Sequence, residues 1–256
     1  MSRKSIRVSF PNADGDNLVG ILERSQEPPR AFALFSHCFT CGKDLKSIVR
    51  ISRQLAQRGW GVLRFDFTGL YHSSGDFSAT NLTTNVSDIH AAAAFMRANY
   101  QAPQLLIGHS LGGTAMALAA NQVDSAKALV TIASPGSTDR LARFLETENP
   151  SIQSQGVGSV SIGGRQYELR RQLLEDLRSY EVEQVLSQLR VPILMFHSPQ
   201  DQTLPYAMGL KMFGAAVGRK SFVTLDGADH LLTNQPQDIE FVAETITVWA
   251  RRYCQR

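Results

Sequence analysis

Gly108-His109-Ser110-Leu111-Gly112 sets a serine between two glycines, after the apolar run Leu105-Leu106-Ile107 and before the small, Ala-rich run Thr114 to Asn121. A serine between a buried strand and a helix has the setting of a nucleophile elbow. Such a turn is so tight that no Cβ fits on either side, and it throws the hydroxyl out above the sheet. Gly113 lets the following helix pack closely on that sheet. The helix start presents free N–H groups and a positive dipole end beneath the serine, which suits a developing oxyanion. The same residues would also make a serine N-cap on an ordinary strand–helix turn. The serine therefore needs partners before it means catalysis.

A serine nucleophile needs a positioned base, itself oriented by a third group. Two late loops supply them, in the order serine, acid, histidine that an elbow-type hydrolase uses. His197 to Pro205 (HSPQDQTLP) follows one apolar run and carries Asp201; Asp226-Gly227-Ala228-Asp229-His230 follows the next and carries His230. Asp226 and Asp229 are rival acids. Asp229 adjoins the histidine, a spacing that points the two side chains apart, so Asp201 is preferred. The plainer reading of these loops is a turn-capping aspartate and a surface histidine.

The elements that must position these residues are legible in order. Ser5–Phe10 alternates with period two and pairs with Leu18–Glu23 across the Asn12-Ala13-Asp14-Gly15 turn. Ala31–Ser36 is a continuous apolar strand. Residues 45–58 have helical spacing and stop at Gly59, and Gly61–Phe67 is the next strand. A helix over about 82–99 turns Val86, Ile89, Ala93 and Met96 inward. Further strands are expected at 105–107, 128–133, 192–197 and 221–225, with helices near 205–217 and 236–252. Strands alternating with helices predict an α/β fold with a parallel sheet covered on both faces. Between Ser134 and Arg190 the rhythm breaks into the most polar part of the chain, with a Gly163-Gly164 hairpin signal and then helical charge patterns. An insertion here, about 136–190, reads as a cap over the sheet's carboxyl edge, where open α/β sheets bind ligands. A long solvated excursion is the duller alternative.

Composition narrows the function. The 256 residues, 43% of them hydrophobic, can fill one large α/β domain, 1–256, with the insertion inside it. A net charge of +3 with dispersed charges gives no stripe for nucleic acid. No apolar run reaches the roughly 18 residues of a membrane span. The start MSRKSIRVSFPNADGD runs from basic residues into a strand pattern without a signal-type apolar region. Three cysteines without a framework of spacings fit a reducing cytoplasm.

Five motifs together resemble the α/β-hydrolase superfamily, over essentially the whole chain: His37-x-Phe39-Thr40-x-x-Lys43-Asp44, Phe65-Asp66-Phe67-x-Gly69, Gly108 to Gly113, the Asp201 loop and the Gly227 to His230 loop. The nearest look is to bacterial cinnamoyl- and feruloyl-esterase-like hydrolases and to the hydrolase half of proteins fused to an OsmC-like domain; no OsmC-like segment follows here. The resemblance implies a mostly parallel sheet of about eight strands flanked by helices, with a small cap. It implies a Ser110–His230–Asp201 triad and an oxyanion hole from the backbone N–H groups of Phe39 and Leu111. The expected activity is cleavage of a small to medium acyl or aryl ester through an acyl-enzyme, without cofactor or metal. A thioesterase or amidase would use the same triad, and a hydrolase-fold binding protein would capture ligand with little turnover.

Two departures from the family pattern stand out. Relatives have glycine after the first motif histidine, whereas this chain has Cys38, making Cys38-x-x-Cys41 in the oxyanion loop. The cysteine count favours two loop thiols over a redox pair or half a zinc site. Relatives also carry glycine at the position of Tyr71. A tyrosine there either holds φ > 0 at roughly 1–2 kcal/mol of strain, in which case Tyr71→Gly should stabilise the fold, or the loop follows another path with the ring turned toward the pocket or to solvent. Among the other histidines, His37 and His109 read as scaffolding, His90 as a helix-surface residue, and His72 and His197 as loop residues near the site.

Overall fold

The structure, a computed structural model, describes residues 3–254. The chain opens with β1 (Arg3–Pro11) and β2 (Asn17–Ser25), then β3 (Ala31–Ser36), α1 (Lys46–Gln57) and β4 (Trp60–Phe65). A 3-10 turn at Phe77–Ala79 leads to α2 (Leu82–Asn99), β5 (Leu105–His109), α3 (Leu111–Ala119) and β6 (Ala128–Ile132). Next come α4 (Asp139–Glu148), α5 (Ser151–Ser154), β7 (Val157–Ile162), β8 (Arg165–Arg170), α6 (Arg171–Ser179) and α7 (Val182–Ser187). The chain closes with β9 (Ile193–His197), α8 (Tyr206–Ala215), β10 (Lys220–Thr224) and α9 (Pro236–Cys254).

Eight strands form one sheet in the order β1-β2-β4-β3-β5-β6-β9-β10. The β1–β2 and β2–β4 pairs are antiparallel and all later pairs parallel. The inner strands read as unbroken apolar runs because each face of the sheet has its own core. Ala31, Ala33 and Phe35 of β3 face the side covered by α1 and α9, as do Leu105 and Ile107 of β5. Phe32, Leu34 and Leu106 face the opposite side, with α2 and α3. A slip of one residue would exchange the two sets, so dense burial on both faces fixes the register.

The 139–187 segment is pinned to the start of α2 by a cluster of polar contacts. The Asp176 carboxylate accepts from the N–H groups of Leu82 (2.8 Å) and Thr83 (3.1 Å) and from the Thr83 hydroxyl (2.5 Å). It thus caps the positive end of α2 together with that helix's own cap, Asn81. Gln172 donates to Thr80 O (2.9 Å), and Arg170 pairs with Asp76 at 2.7 Å. The β7–β8 hairpin closes on Gly163 and Gly164, both at positive φ, as a two-residue Gly-Gly turn requires.

Candidate active site

Ser110 sits between β5 and α3 at φ 53°, ψ −128°, a conformation rare for any residue with a Cβ. The surroundings hold it there. Its N–H donates to Ile132 O at 2.8 Å, and the flanking glycines admit no side chain. A Cβ on Gly108 would lie 2.4 Å from Gly113 Cα, and one on Gly112 would lie 2.1 Å from His37 O. One on Gly113 would meet Ser134 Oγ at 1.9 Å. The elbow thus rests on three close approaches, and the cost of the strained φ, about 1–3 kcal/mol, is borne by the packing around it.

The two late loops bring their residues to this point. The Ser110 hydroxyl lies 3.1 Å from His230 Nε2, and His230 Nδ1 lies 2.7 Å from Asp201 Oδ2. The other Asp201 oxygen accepts from the Thr203 and Leu204 N–H groups, both at 2.8 Å. Burial alone would raise this carboxyl. The bond and charge of His230 and the two N–H donors outweigh burial and hold it below the usual carboxylate range. A carboxylate on Nδ1 fixes the imidazole proton there and leaves Nε2 to accept the Ser110 proton. The rival acids are turned elsewhere. Asp229 accepts from Thr233 and Asn234 and builds the turn that carries the histidine, while Asp226 accepts from Gln200 and from no triad residue among the described residues.

The scaffolding histidines are more buried than loop residues need be. His109 Nε2 donates to His230 O at 2.7 Å, so the elbow strand holds the His230 loop directly. His37 Nδ1 donates to Cys38 O, and its Nε2 accepts from the Phe67 N–H at 3.2 Å. His197 is the last residue of β9, buried, with Nε2 donating to Leu204 O; it belongs to the strand end and not to an open loop. His90 is only half exposed, and desolvation lowers its pKa, so it is not a free surface residue.

Burial pushes the His109 imidazole down to about 3 and that of His37 down to about 4. Both stay neutral in the folded chain where an unfolded histidine, ordinarily near 6.5, takes up a proton. The unfolded state therefore binds more protons below about pH 6.5, and stability present above that value is lost on acidification toward pH 3–4. Asp88 acts in the opposite sense, because burial raises its carboxyl to about 6. By about pH 5 each imidazole costs on the order of 2 kcal/mol and Asp88 returns roughly 1. The melting temperature should fall by about 5 °C or more between pH 7 and pH 5. An unchanged value would mean that these rings are not held neutral.

The Phe39 and Leu111 N–H groups carry no backbone acceptor among the described residues. Leu111 is the first residue of α3, where helix geometry leaves the N–H free. Phe39 lies in the loop after β3, and here the chain departs from expectation. Cys38 and Cys41 are joined as a disulfide with Cα atoms 5.2 Å apart, not held as two free thiols. The turn that returns Cys41 N–H to Cys38 O at 3.1 Å brings the two side chains within bonding reach. With two of the three cysteines paired, cysteine usage no longer argues for a reducing compartment. The far end of the loop is fixed by Lys43, buried against Asp66 at 2.8 Å, which ties the first two sequence motifs together.

Tyr71 has φ 49°, so of the two courses open to this loop it keeps the left-handed conformation. Its ring is half exposed at 51% and lies against Gly42 and under the Arg165 guanidinium, 5.1 Å from the ring centre. Its hydroxyl donates to Thr40 O at 3.3 Å. Burial and the neighbouring Tyr167 push this phenol above its ordinary value, so it remains a donor. These tethers reverse the sign expected from strain alone. Tyr71→Gly relieves roughly 1–2 kcal/mol of strain but forfeits a hydrogen bond, a cation–π contact and ring packing, together about 2 kcal/mol, and adds about 1 kcal/mol of unfolded-chain entropy. The variant should melt a few degrees lower; a higher melting temperature would show that strain dominates.

Beside the two free N–H groups lies a small apolar pocket lined by Phe39, Phe67, Leu70, Phe77, Leu111 and, from α6, Leu173. Sequence reasoning gave no hint of Tyr167, whose hydroxyl also reaches Thr40 O at 3.2 Å. The signal was there in the period-two pattern of β8, which turns Tyr167 and Leu169 to the inner side of the hairpin.

A strained serine on a strand–helix elbow, at the carboxyl edge of a mostly parallel sheet and in line with an imidazole and a carboxylate, defines the α/β-hydrolase class of architecture. Residues 32–244 match the alpha/beta hydrolase family, and the chain belongs to it. The esterase domain of a Rhodothermus marinus protein is 39% identical over 99% of both chains, with a TM-score of 0.76. Est1E from Butyrivibrio proteoclasticus, solved with ferulic acid bound, has the same fold with a TM-score of 0.83. It is 22% identical, over 96% of this chain and 99% of that one. Among curated proteins none matches the chain. Among the described residues no helix is long and apolar enough to cross a membrane, and no cluster of potential metal ligands is present.

Proposed function

We propose that this chain is a serine carboxylesterase in which Ser110, His230 and Asp201 are the catalytic residues. The observation that carries the reading is the unbroken series from the Asp201 carboxylate through His230 to the Ser110 hydroxyl, at 2.7 and 3.1 Å. Ser110 Oγ attacks the ester carbonyl carbon as its proton passes to His230 Nε2. The new imidazolium is stabilised by Asp201. The Phe39 and Leu111 N–H groups take the oxyanion, where each such donor can be worth about 3 kcal/mol. Collapse of the tetrahedral intermediate expels the alcohol, which receives the proton from Nε2. Water, deprotonated by the same nitrogen, then releases the acid and restores Ser110.

The whole chain acts as one hydrolase domain, and the 136–190 insertion serves as its cap. Leu173 supports this, since it reaches from α6 into the apolar pocket beside Phe39 and Leu111. The mainly apolar lining favours an uncharged acyl or aryl group over a charged one, and the similarity to the Rhodothermus marinus esterase domain points to ester chemistry. The test is steady-state turnover of aryl esters that differ in acyl chain, from acetate to a hydroxycinnamate. Continuous turnover is expected. Capture without turnover would make the protein a binder. Unchanged turnover in His230→Ala would remove His230 from the role of base.

A further inference from the structure

The Thr40 carbonyl is an unusual meeting point. It accepts from the hydroxyls of Tyr71 (3.3 Å) and Tyr167 (3.2 Å), which come from the loop after β4 and from β8 of the insertion. Thr40 itself sits at φ 58°, a conformation in which a β-branched residue is held only by its surroundings. It lies inside the four-residue turn closed by the Cys38–Cys41 disulfide and follows Phe39 directly. Tyr71 also packs its ring on Gly42, where even a Cβ would come within 2.7 Å, and carries Arg165 of the hairpin on its outer side. Tyr167 stands edge-on to Phe77, and Phe77 in turn packs near Phe39, with ring centres 5.3 and 6.0 Å apart.

We infer that Tyr71 and Tyr167 are positioning residues that aim the Phe39 N–H at the reacting oxygen by clamping the Thr40 carbonyl. The inference rests on the esterase reading above. Two hydroxyls on one carbonyl oxygen fix the plane of the Thr40–Cys41 peptide, and the disulfide stops the short turn from rotating as a whole. Between them they restrict how far the Cys38–Phe39 peptide, two units back in the same closed turn, can swing its N–H. The insertion therefore contributes to transition-state stabilisation through Tyr167 as well as to the pocket wall. Neither tyrosine touches the reacting atoms. Their effect belongs to the step in which charge develops on the carbonyl oxygen, and ground-state binding of the ester should not register it.

The test uses Tyr71→Phe, Tyr167→Phe and the double variant, each keeping its ring and losing only the hydroxyl. Complete removal of an oxyanion donor costs about 10²–10³ in kcat. Mis-aiming it should cost about tenfold in kcat for each single variant, with KM within twofold. Inhibition by a trifluoromethyl ketone, whose serine adduct carries an oxyanion, should weaken in parallel. Treatment with a dithiol adds a further arm: the dithiol is oxidised to its own disulfide while Cys38 and Cys41 gain two electrons and two protons as thiols. With the cross-link open, the hydroxyls are the remaining tethers, so the Tyr→Phe losses should be larger in reduced than in oxidised protein. Unchanged kcat in both single variants, or losses confined to KM, would overturn the inference. If one variant fails to fold, the other decides alone by the same kcat-against-KM split. Absence of any ester turnover in the unmodified protein would instead refute the esterase reading.

Discussion

Ser110→Ala should abolish covalent labelling by a fluorophosphonate that labels the unaltered protein one to one, and should lower ester turnover by about 10⁵-fold or more. The size follows from what is lost. Without the hydroxyl there is no nucleophile for His230 to deprotonate, and the oxyanion donors alone retain only the modest acceleration they give to attack by water. The change should leave the fold intact, because alanine keeps the N–H that donates to Ile132 O and meets the same positive φ that serine tolerates. Folding is checked by the melting temperature. Undiminished labelling of the alanine variant would place the reactive nucleophile elsewhere.

Asp201→Asn should lower kcat by about 10³–10⁴-fold while changing the site's shape very little. The hydrogen bonds dictate how an asparagine must sit. Thr203 and Leu204 both donate N–H groups to Oδ1, so the amide oxygen is required on that side and the NH₂ group is turned to His230. His230 Nδ1 must then accept, its proton moves to Nε2, and the atom facing Ser110 can no longer take a proton. Asp226→Asn is the matched control. Its carboxylate accepts a hydrogen bond from Gln200 and none from a triad residue among the described residues, so the rate should stay within about twofold. Comparable losses in the two variants would mean that the charge of the region, and not the tautomer of one imidazole, sets the rate.

The parts of this molecule legible in its sequence are those where one local pattern has one physical cause. Buried strands such as β3 and β5 declare themselves because helices on both faces leave no polar position to break the runs over 31–35 and 105–107. The elbow is legible because Gly108, Gly112 and Gly113 each stand where backbone or Ser134 would occupy the place of a Cβ. Asp201 and His230 follow from their places after consecutive strands. The rest depends on contacts that no local pattern carries. The cysteine count favours free thiols at Cys38 and Cys41, and the path of the turn overrules it by bringing them into a disulfide. The sign of the Tyr71 substitution turned on Thr40, Gly42 and Arg165, the last of which lies in the insertion. Burial of His197 and His90 likewise depends on neighbours far along the chain.

The Asp176 carboxylate on the first turn of α2 has a consequence for how the molecule breathes. Lifting α6 away would strip a charged acceptor from two helix N–H groups and expose the apolar residues Leu173, Leu174 and Leu177, all buried. Opening this region by hinge motion thus means fraying the start of α2 at the same moment, so the two segments form one cooperative unit. Their amides should share a single exchange lifetime.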